Sequence, residues 1–423
     1  MLQLQYLRDN KEAAMLGLQK KNFKELNLVD DIISLDEQKR KLQTEAERNK
    51  SELNALSKEV GNLMKQGLKE AAEAMKATST GIREVQKRME DNLEDLEKQL
   101  FDSLVKLPNM PHASVPFGKT PEENENIFQE GKMPSLYEGA VPHWELTSKY
   151  DIIDFEMGNK VTGAGFPFYK GKGARLQRAL INFFLDEAMK SNYLEVQPPI
   201  LINKESGFGT GQLPDKEGQM YYVGIDDLYL IPTAEVPITN MYRDVILKEE
   251  QLPLKNVAYT PCFRREAGSY GAHVRGLNRL HQFDKVELVQ IAKPEESYQI
   301  LDTMVEHVKG LLQKLELPYR ILRLCGGDMS FNSALTFDFE VFSAAQQKWL
   351  EVSSVSNFES FQTNRLKCRY KNAEGKNVLA HSLNGSALAL PRIVAALLEN
   401  NQTPEGVVIP KVLQPYCGFE LIN

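Results

Sequence analysis

Two runs of residues with coiled-coil spacing constrain the fold of this 423-residue chain more than any other feature, because no proline interrupts residues 28–107. The first run alternates steps of four and three residues and includes one asparagine, which can fix the register of a coiled coil. Its members are Leu42, Ala46, Asn49, Leu53, Leu56, Val60 and Leu63. The second run comprises Ile82, Val85, Met89, Leu93, Leu96 and Leu100. Gly61, near the end of the first run, and Gly67, just after it, weaken the helix, so the pattern predicts a helical hairpin with arms of roughly 50 Å rather than one rod.

The chain around this hairpin is long enough for two or three domains. Residues 1–27 carry apolar side chains among charges and predict one or two short capping helices. Three prolines within residues 108–116 indicate a linker. We therefore expect an N-terminal domain over residues 1–107 and a second domain over residues 108–423. With 42% hydrophobic and 26% charged residues, the chain can build a sizeable core.

Charge separates the predicted hairpin from the rest of the chain. The whole protein carries a formal net charge of −7, whereas residues 39–88 contain twelve Lys or Arg and seven Asp or Glu. Coiled coils most often serve dimerisation, and that use stays open here. The local positive charge instead favours contact with a phosphate backbone. Residues 30–97 contain no aromatic side chain for base stacking, so we expect the hairpin to recognise helical RNA by shape.

Cysteine usage and the N-terminus indicate a cytoplasmic protein. Cys262, Cys325, Cys368 and Cys417 are scattered, form no CxxC pair and give no zinc-ligand spacing with the six histidines. We expect reduced, buried thiols and no zinc. The N-terminal residues lack the apolar stretch of a signal peptide, and no run approaches the length that spans a bilayer. The sequence therefore predicts a protein without membrane contact.

A polar loop joins two strand-like segments, residues 256–263 and 283–291, and predicts an antiparallel hairpin. The charged residues 264–266 leave the first segment together, and Glu287 lies within the second. A half-buried strand normally keeps charges off its core face. The charges therefore indicate either a solvated edge hairpin or a pair of strands that lines a site for charged ligands.

A long string in this hairpin carries a resemblance to a known family. It reads Thr-Pro-Cys-Phe-Arg-Arg-Glu-Ala-Gly-Ser-Tyr-Gly from Thr260 to Gly271 and continues as His-Gln-Phe-Asp-Lys-Val-Glu from His281 to Glu287. It resembles motif 2 of the class II aminoacyl-tRNA synthetases, and the seryl-tRNA synthetase family in particular. A string of this length is far more specific than a short glycine motif.

The likeness extends over nearly the whole chain. The amphipathic helix at residues 173–191 and the segment to Pro199 resemble motif 1, which builds the dimer interface of the family. The stretch from Asn384 to Arg392 resembles motif 3. The resemblance implies an α+β fold, in which helices flank a mainly antiparallel catalytic sheet and an N-terminal antiparallel coiled-coil arm precedes it. It also implies a homodimer.

The resemblance implies a ligase that activates L-serine with ATP to seryl-adenylate and transfers serine to the 3′ end of tRNA(Ser). The arm is then implied to hold the long variable arm of the tRNA, and charging of tRNA(Sec) stays open. A ligase that loads an amino acid onto a carrier protein is an alternative, but such relatives lack the long arm. A non-catalytic RNA-binding paralogue is another alternative, and it would have lost charged site residues that this chain keeps.

Activation joins two anions, so it needs fixed cations and positioning rather than a protein nucleophile. The resemblance implies two catalytic residues, with Arg264 on the α-phosphate and carboxylate and Arg392 on the γ-phosphate. Phe283 is implied to stack on adenine, and Glu266 to accept from its amine. The implied ATP-binding residues are Arg264, Arg265, Glu266, Phe283, Glu351, Val352, Ser353, Ser354 and Arg392.

The serine site is also implied residue by residue, as Thr233, Ala234, Glu235, Glu287, Asn384 and Ser386. A carboxylate is the partner that an α-ammonium group needs, and a site that bonds a hydroxyl rejects analogues lacking it by ~10⁴ or more. Glu351 and Ser354 are the implied ligands of Mg²⁺ bound with ATP, because Mg²⁺ prefers hard oxygen ligands. Motif 3 departs from the usual pattern, with Ala387 and Pro391 where glycine is common.

Overall fold

A computed structural model describes residues 1–215, 217–266 and 275–423. The chain forms two compact units. The first comprises Met1–Gln19 and Phe23–Pro108, and the second comprises Lys20–Asn22 and Asn109–Asn423. The predicted motif 2 loop falls partly at residues 267–274, including Gly268 and Gly271, which lie outside the described residues.

The two longest helices of the described chain belong to the first unit. The helices are α1 (Leu4–Asp9), α2 (Lys11–Lys20), α3 (Leu28–Lys65), α4 (Lys69–Leu104), α5 (His143–Lys149), α6 (Phe155–Val161), α7 (Gly171–Lys190), α8 (Lys204–Thr210), α9 (Glu235–Asn240), α10 (Ser297–Lys314), α11 (Phe361–Leu366), α12 (Leu390–Asn400) and α13 (Gln414–Cys417). The two predicted capping helices are thus α1 and α2, and the predicted hairpin is α3 and α4.

The strands all belong to the second unit. They are β1 (Glu125–Glu130), β2 (Ile153–Asp154), β3 (Phe168–Tyr169), β4 (Leu194–Glu195), β5 (Leu201–Ile202), β6 (Tyr222–Val223), β7 (Leu228–Leu230), β8 (Ile246–Lys248), β9 (Leu254–Phe263), β10 (Gln282–Ala292), β11 (Tyr319–Arg323), β12 (Leu335–Ser343), β13 (Lys348–Asn357), β14 (Arg369–Lys371), β15 (Asn377–Leu379), β16 (His381–Ala389), β17 (Gln402–Thr403), β18 (Gly406–Val408) and β19 (Leu421–Ile422).

Helices α3 and α4 pack along the two predicted seams. The seam side chains are buried or half-buried, and most positions between them are exposed. The amide nitrogen of Asn49 lies 3.5 Å from the sulfur of Met89, and Lys39 pairs with Glu97 at 2.9 Å. Later residues of α3 thus pair with earlier residues of α4, so the hairpin is antiparallel, as predicted. Gly67 forms the connection with φ of +79°, a conformation that favours glycine.

An eight-stranded sheet organises the second unit, in the order β1-β11-β12-β13-β16-β10-β9-β4. Every pairing is antiparallel except that of β4 with β9. The motif 2 strands β9 and β10 lie side by side, and the motif 3 strand β16 pairs with the other edge of β10. The mainly antiparallel sheet predicted from the resemblance is therefore confirmed.

The central strand β10 buries both of its faces. Val286 and Leu288 belong to the main core, which also contains apolar side chains of α7, α10 and α12. On the opposite face Val289 packs with Ala234 and Ile238 at the start of α9. Because successive side chains of a strand alternate between faces, Lys285 and Glu287 lie on the α9 side with Val289. The polar site is thus held between the sheet and α9.

Helix α7, at motif 1, spans Gly171–Lys190, close to the predicted residues 173–191. The strand after it is two residues long, and the chain then enters a small separate sheet at β5. At motif 3, helix α12 begins at Leu390, so Pro391 occupies its first turn, where proline is readily accommodated. Among the described residues, no helix combines the length and the apolar character needed to cross a bilayer.

Candidate active site

The end of β9 fixes the segment that carries Thr233 and Glu235. The backbone N–H of Phe263 donates to the carbonyl of Ile231 at 2.8 Å. The guanidinium Nε of Arg264 donates to the carbonyl of Pro232 at 3.4 Å. These two bonds bring the predicted serine segment directly beside the motif 2 arginine.

A buried polar cluster lies on the α9 side of β10. Lys285 and Glu287 form an ion pair whose side chains are 7% and 1% exposed. Lys285 Nζ donates to the Thr233 hydroxyl at 3.0 Å. The hydroxyls of Thr233 and Ser386 each donate to Glu287 Oε2 at 3.4 Å. Strand β16 supplies Ser386 because it lies opposite Glu287 in the ladder.

Glu235 is a second buried carboxylate beside this cluster. It begins α9, and its oxygen accepts a hydrogen bond of 2.6 Å from the amide of Gln362. Burial raises the pKa of Glu235 to about 7, and repulsion from the Glu287 carboxylate acts in the same direction. The Gln362 bond and the charges of Lys285 and Arg264 oppose the rise. The carboxylates of Glu235 and Glu287 share the single ammonium group of Lys285, so a positively charged ligand group could pair with Glu235.

The remaining predicted serine residues lie close to the same cluster. Ala234 is fully buried and packs with Ile238, so its side chain lies in the apolar core behind the segment. Asn384 precedes Ser386 by two residues and therefore shares its face of β16. Its side chain is 9% exposed, and Val289 lies opposite it.

Arg264 and Phe283 stack beyond the polar cluster. The guanidinium carbon of Arg264 lies 5.2 Å from the centroid of the Phe283 ring, within the range of a cation–π contact. The ring therefore orients the arginine. A nucleotide base that stacks on Phe283 must therefore contact the part of the ring that the Arg264 guanidinium does not cover.

The two residues after Arg264 point in different directions. The backbone N–H of Arg265 donates to the carbonyl of Gln219 at 2.8 Å, and its side chain is exposed. Glu266 has φ of +51° and forms an ion pair with Arg279. A non-glycine residue in the left-handed region often occurs at functional sites. Glu266 and Arg279 both line a cavity of about 800 Å³ in the second unit.

Arg392 lies in the first turn of α12, the helix that follows β16 directly. Its Nε donates to the carbonyl of Asn278 at 2.9 Å, and its Nη1 donates to the carbonyl of Glu351 at 2.7 Å. The same Nη1 lies 3.6 Å from the carboxylate of Glu351. The Arg392 side chain keeps 30% of its surface exposed, so it can still meet a ligand.

The β12–β13 pair carries the predicted magnesium ligands. Ser354 donates a hydrogen bond to the carboxylate of Asp338, and Glu351 is half exposed. Burial and the nearby Glu351 carboxylate raise the pKa of Asp338 well above its ordinary value. Val352 and Ser353, by contrast, are buried, and the Ser353 hydroxyl donates to the carbonyl of Ser386 at 2.6 Å. The Ser353 side chain therefore connects β13 to β16, and the Val352 side chain belongs to the main core.

These oxygen donors suit a Mg²⁺ that arrives with a nucleotide. Mg²⁺ commonly uses one or two carboxylates and completes its shell with water and phosphate oxygens. Glu351 offers an exposed carboxylate, and Ser354 offers a hydroxyl on the same strand, β13. Within residues 1–215, 217–266 and 275–423, no three His, Cys, Asp or Glu side chains group closely enough to hold a metal.

Sequence reasoning missed several residues of this site. Lys285 lies inside the quoted motif string, and its spacing from Glu287 already placed both on one face of a strand. Gln362 reaches Glu235 from a helix distant in sequence, and Asp338 lies opposite Ser354 on the preceding strand. Arg279, which pairs with Glu266, lies in the loop between the motif 2 strands. Lys285 and Arg279 carried a local signal, because both lie between Thr260 and Glu287 in the stretch that resembles motif 2.

The range that contains every site residue described above also matches a known domain. Residues 222–401 match the family model of the tRNA synthetase class II core domain (G, H, P, S and T). The motif 2 arginine at the end of β9, the motif 3 arginine on α12 and the antiparallel sheet between them together define a class II aminoacyl-tRNA synthetase.

The rest of the comparison concerns the amino acid. Residues 1–111 match the model of the seryl-tRNA synthetase N-terminal domain. The serine–tRNA ligase of Salinibacter ruber is 50% identical over 425 residues, covering 100% of this chain and 99% of that protein. The serine–tRNA ligase of Caldicellulosiruptor saccharolyticus is 48% identical over 426 residues, covering 100% of this chain and 100% of that protein.

A solved structure agrees with these matches. The crystal structure of seryl-tRNA synthetase from Pyrococcus horikoshii complexed with ATP gives a TM-score of 0.94 at 34% identity, covering 100% of this chain and 99% of that one. The chain belongs to the seryl-tRNA synthetase family, and it is a serine–tRNA ligase that uses ATP.

Proposed function

We propose that the cluster of Thr233, Lys285, Glu287 and Ser386 is the serine pocket of this ligase. The observation that carries the proposal is the buried Glu287 carboxylate. It accepts hydrogen bonds from two hydroxyls and forms an ion pair with Lys285. We call the polar space around these four residues the recess. The side-chain hydroxyl of serine can replace one of these donors. Its α-ammonium meets Glu235, whose buried carboxylate lies beside the same recess.

Arg264 receives the serine carboxylate and the α-phosphate of ATP. A guanidinium group presents paired donors that match both anions, and the Phe283 ring already orients it. In the first step a serine carboxylate oxygen attacks the α-phosphorus. The bond from phosphorus to the bridging oxygen breaks, and pyrophosphate leaves with the electron pair. Arg392, anchored by two carbonyls and still partly exposed, holds the departing phosphates.

Four further residues complete the proposed ATP site. Arg265 and Glu266 follow Arg264 and line the adenine side, where Glu266 accepts from the exocyclic amine. Glu351 and Ser354 are the residues that would hold Mg²⁺, which would neutralise phosphate charge. After removal of metal by a chelator, Mg²⁺ alone should restore pyrophosphate exchange. Glu351→Gln should raise the Mg²⁺ concentration needed for half-maximal exchange, and an unchanged requirement would remove Glu351 from the metal site.

We propose that the N-terminal hairpin binds tRNA(Ser). The support is its local positive charge in an acidic chain and its exposed, non-aromatic surface. In the second step a ribose hydroxyl at the 3′ end of the tRNA attacks the adenylate carbonyl, and AMP leaves. Transfer of labelled serine to a tRNA(Ser) transcript tests this step. A transcript without its long variable arm is the matched control, and equal charging of both transcripts would contradict the role of the hairpin.

We also propose a homodimer formed through motif 1. Leu194, Ile200 and Leu201 follow α7 and keep 63%, 37% and 41% of their surface exposed, which is unusual for apolar side chains close to a core. Light scattering should give twice the 48.0 kDa mass of the chain. Leu194→Arg should shift the protein toward the monomer. The four free cysteines are buried and support a reducing compartment, so we place the enzyme in the cytoplasm.

A further inference from the structure

A histidine and a glutamate form a fully buried pair outside the residues assigned above. His143 begins α5 and Glu399 lies near the end of α12, and neither side chain is exposed. His143 Nδ1 lies 2.6 Å from Glu399 Oε1, and the backbone N–H of His143 donates to the same oxygen at 3.0 Å. Ser343 donates to the other carboxylate oxygen. The carboxylate is thus enclosed by donors.

The second ring nitrogen of His143 fixes the tautomer. The backbone N–H of Leu277 donates to His143 Nε2 at 2.8 Å, so Nε2 carries no proton. The ring proton therefore lies on Nδ1 and points to Glu399. Burial alone would raise the pKa of Glu399, but the hydrogen bonds from His143 and Ser343 bring it below its ordinary value. A charged carboxylate holds the ring in the one tautomer that accepts from Leu277.

The loop segment at residues 275–278 is seated on this ring. Gly276 has φ of +66°, and a Cβ atom there would lie 2.3 Å from His143 Nε2. The guanidinium carbon of Arg275 lies 4.8 Å from the ring centroid of the adjacent Trp144. Any residue other than glycine at position 276 would push the segment off the histidine.

The same segment reaches the ATP side of the site. Asn278 donates to the amide oxygen of Gln346 at 2.9 Å, and Gln346 donates to Glu399 at 2.9 Å. The carbonyl of Asn278 accepts from Arg392 Nε at 2.9 Å. Arg392 and Glu399 belong to one helix, seven residues apart, and therefore lie on one face of it. A chain of hydrogen bonds therefore runs from Glu399 through Gln346 and Asn278 to Arg392, the arginine proposed to bind phosphate.

We propose that His143 and Glu399 are positioning residues that hold the 275–278 segment and, through the Asn278 carbonyl, set the orientation of Arg392 toward ATP. The proposal rests on the phosphate-binding role proposed for Arg392. Neither residue touches a substrate. Their effect is on ATP and not on serine, because the path ends at Arg392 and bypasses the Glu287 pocket.

Three variants separate this role from a general contribution to folding. His143→Leu removes the acceptor and leaves the Leu277 N–H buried and unpaired. His143→Gln restores an acceptor near the Nε2 position. We expect His143→Leu to lower kcat/KM for ATP by about 10- to 100-fold, in the range that small misplacements of reacting groups cause. His143→Gln should recover most of the loss. The KM for serine should stay within about twofold in both.

His307→Leu is the matched control, because His307 is a half-buried histidine of α10 that hydrogen-bonds to Ser191, the C-cap of α7, away from residues 275–278. It should leave both KM values unchanged. Equal effects of His143→Leu on ATP and serine, or no recovery with His143→Gln, would overturn the proposal. Neutron diffraction of the unaltered protein tests it without any variant. Deuterium on His143 Nδ1 is expected, and deuterium on Nε2 would contradict the tautomer.

A double-mutant cycle separates this proposal from the role of Arg392 itself. If His143 acts through Arg392, His143→Leu should cause little further loss in an Arg392→Ala background. Near-normal exchange by Arg392→Ala alone would refute the role of Arg392. Strong impairment by Arg392→Ala, with a full and independent loss from His143→Leu, would refute the positioning path and leave the proposed function intact.

Discussion

Lys285 and Glu287 are neighbours on one face of β10, and their side chains form an ion pair within the recess proposed to bind serine. Lys285 also donates to Thr233, so one cation faces Glu287 and Thr233 at once. Glu235 lies close enough for Lys285 to lower its pKa. The lysine therefore sets the charge of a recess that holds two carboxylates.

Replacing Lys285 by methionine should weaken serine binding and destabilise the protein. The change leaves Glu287 buried without its partner, and breaking such a pair from one side costs about 3–5 kcal/mol. We expect KM for serine in pyrophosphate exchange to rise by at least about tenfold, with KM for ATP little changed. Lys255→Met is the control, because Lys255 also lies on a motif 2 strand, β9, but its ammonium group lies over the ring of Tyr193 and not in the recess. An unaltered KM for serine in Lys285→Met would remove the lysine from the site.

Serine binding should depend on pH through Glu235. Burial and then repulsion from Glu287 raise its pKa to about 7, so below that pH the free site carries a proton where the α-ammonium must bind. We expect KM for serine to fall as pH rises through about 7. Glu235→Gln should bind serine weakly and flatten this dependence. A slope of KM against pH that is the same in both proteins would show that another group titrates.

The raised pKa has the opposite consequence for stability. The folded protein keeps the Glu235 proton until about pH 7, whereas the unfolded chain loses it near 4.5. The stabilisation is therefore complete below 4.5 and is lost as pH rises through about 7. Relative to Glu235→Gln, the free energy of unfolding should fall by roughly 3 kcal/mol over that window. Urea unfolding of both proteins at matched pH values measures the difference, which would be constant if the account were wrong.

Arg264→Ala and Arg392→Ala should each lower exchange by about 10² to 10³, because each removes a fixed cation from developing phosphate charge. Arg264→Lys should recover little of the loss, since lysine lacks the paired donors of a guanidinium group. Arg369→Ala, in the small outer sheet, serves as the control. Circular dichroism should show all four variants folded. Near-normal exchange in either alanine variant would exclude that residue from the site.

Shortening the hairpin should separate activation from transfer. Asn49 and Met89 face each other, so a short glycine–serine linker can replace residues 50–88 while residues 20–22 of the second unit stay in place. We expect serine-dependent exchange to persist and charging of tRNA(Ser) to fall by at least about tenfold. Binding of tRNA to the full-length protein should weaken steeply with salt, as released counterions require. Normal charging by the shortened protein would contradict the role of the hairpin.

Local patterns in the sequence predicted the features that depend on periodicity or on one continuous string. The seam of Leu42 to Leu63 is half-buried because a 3.5-residue repeat keeps one face toward a partner helix. Thr233, Glu287 and Ser386 lie in contact because β10 and β16 are adjacent and the end of β9 holds the segment that carries Thr233.

What the sequence could not predict depends on tertiary contacts. Gln362 reaches Glu235 from α11, and His143 reaches Leu277 across 134 positions. No periodicity or short spacing marks such pairs. The burial of Val352 and Ser353 was also invisible, because it depends on contacts from outside the strand: Val352 belongs to the main core, and Ser353 donates to the carbonyl of Ser386.

Amino-acid-dependent exchange of pyrophosphate into ATP, measured with the full-length protein and each of the standard amino acids, tests the central claim most directly. Serine alone should support exchange, in the presence of Mg²⁺ and without tRNA. Alanine lacks the hydroxyl that Glu287 is proposed to accept from, so its kcat/KM should be lower by about 10⁴. Exchange with alanine or threonine equal to that with serine would contradict the assignment of the recess as a serine pocket.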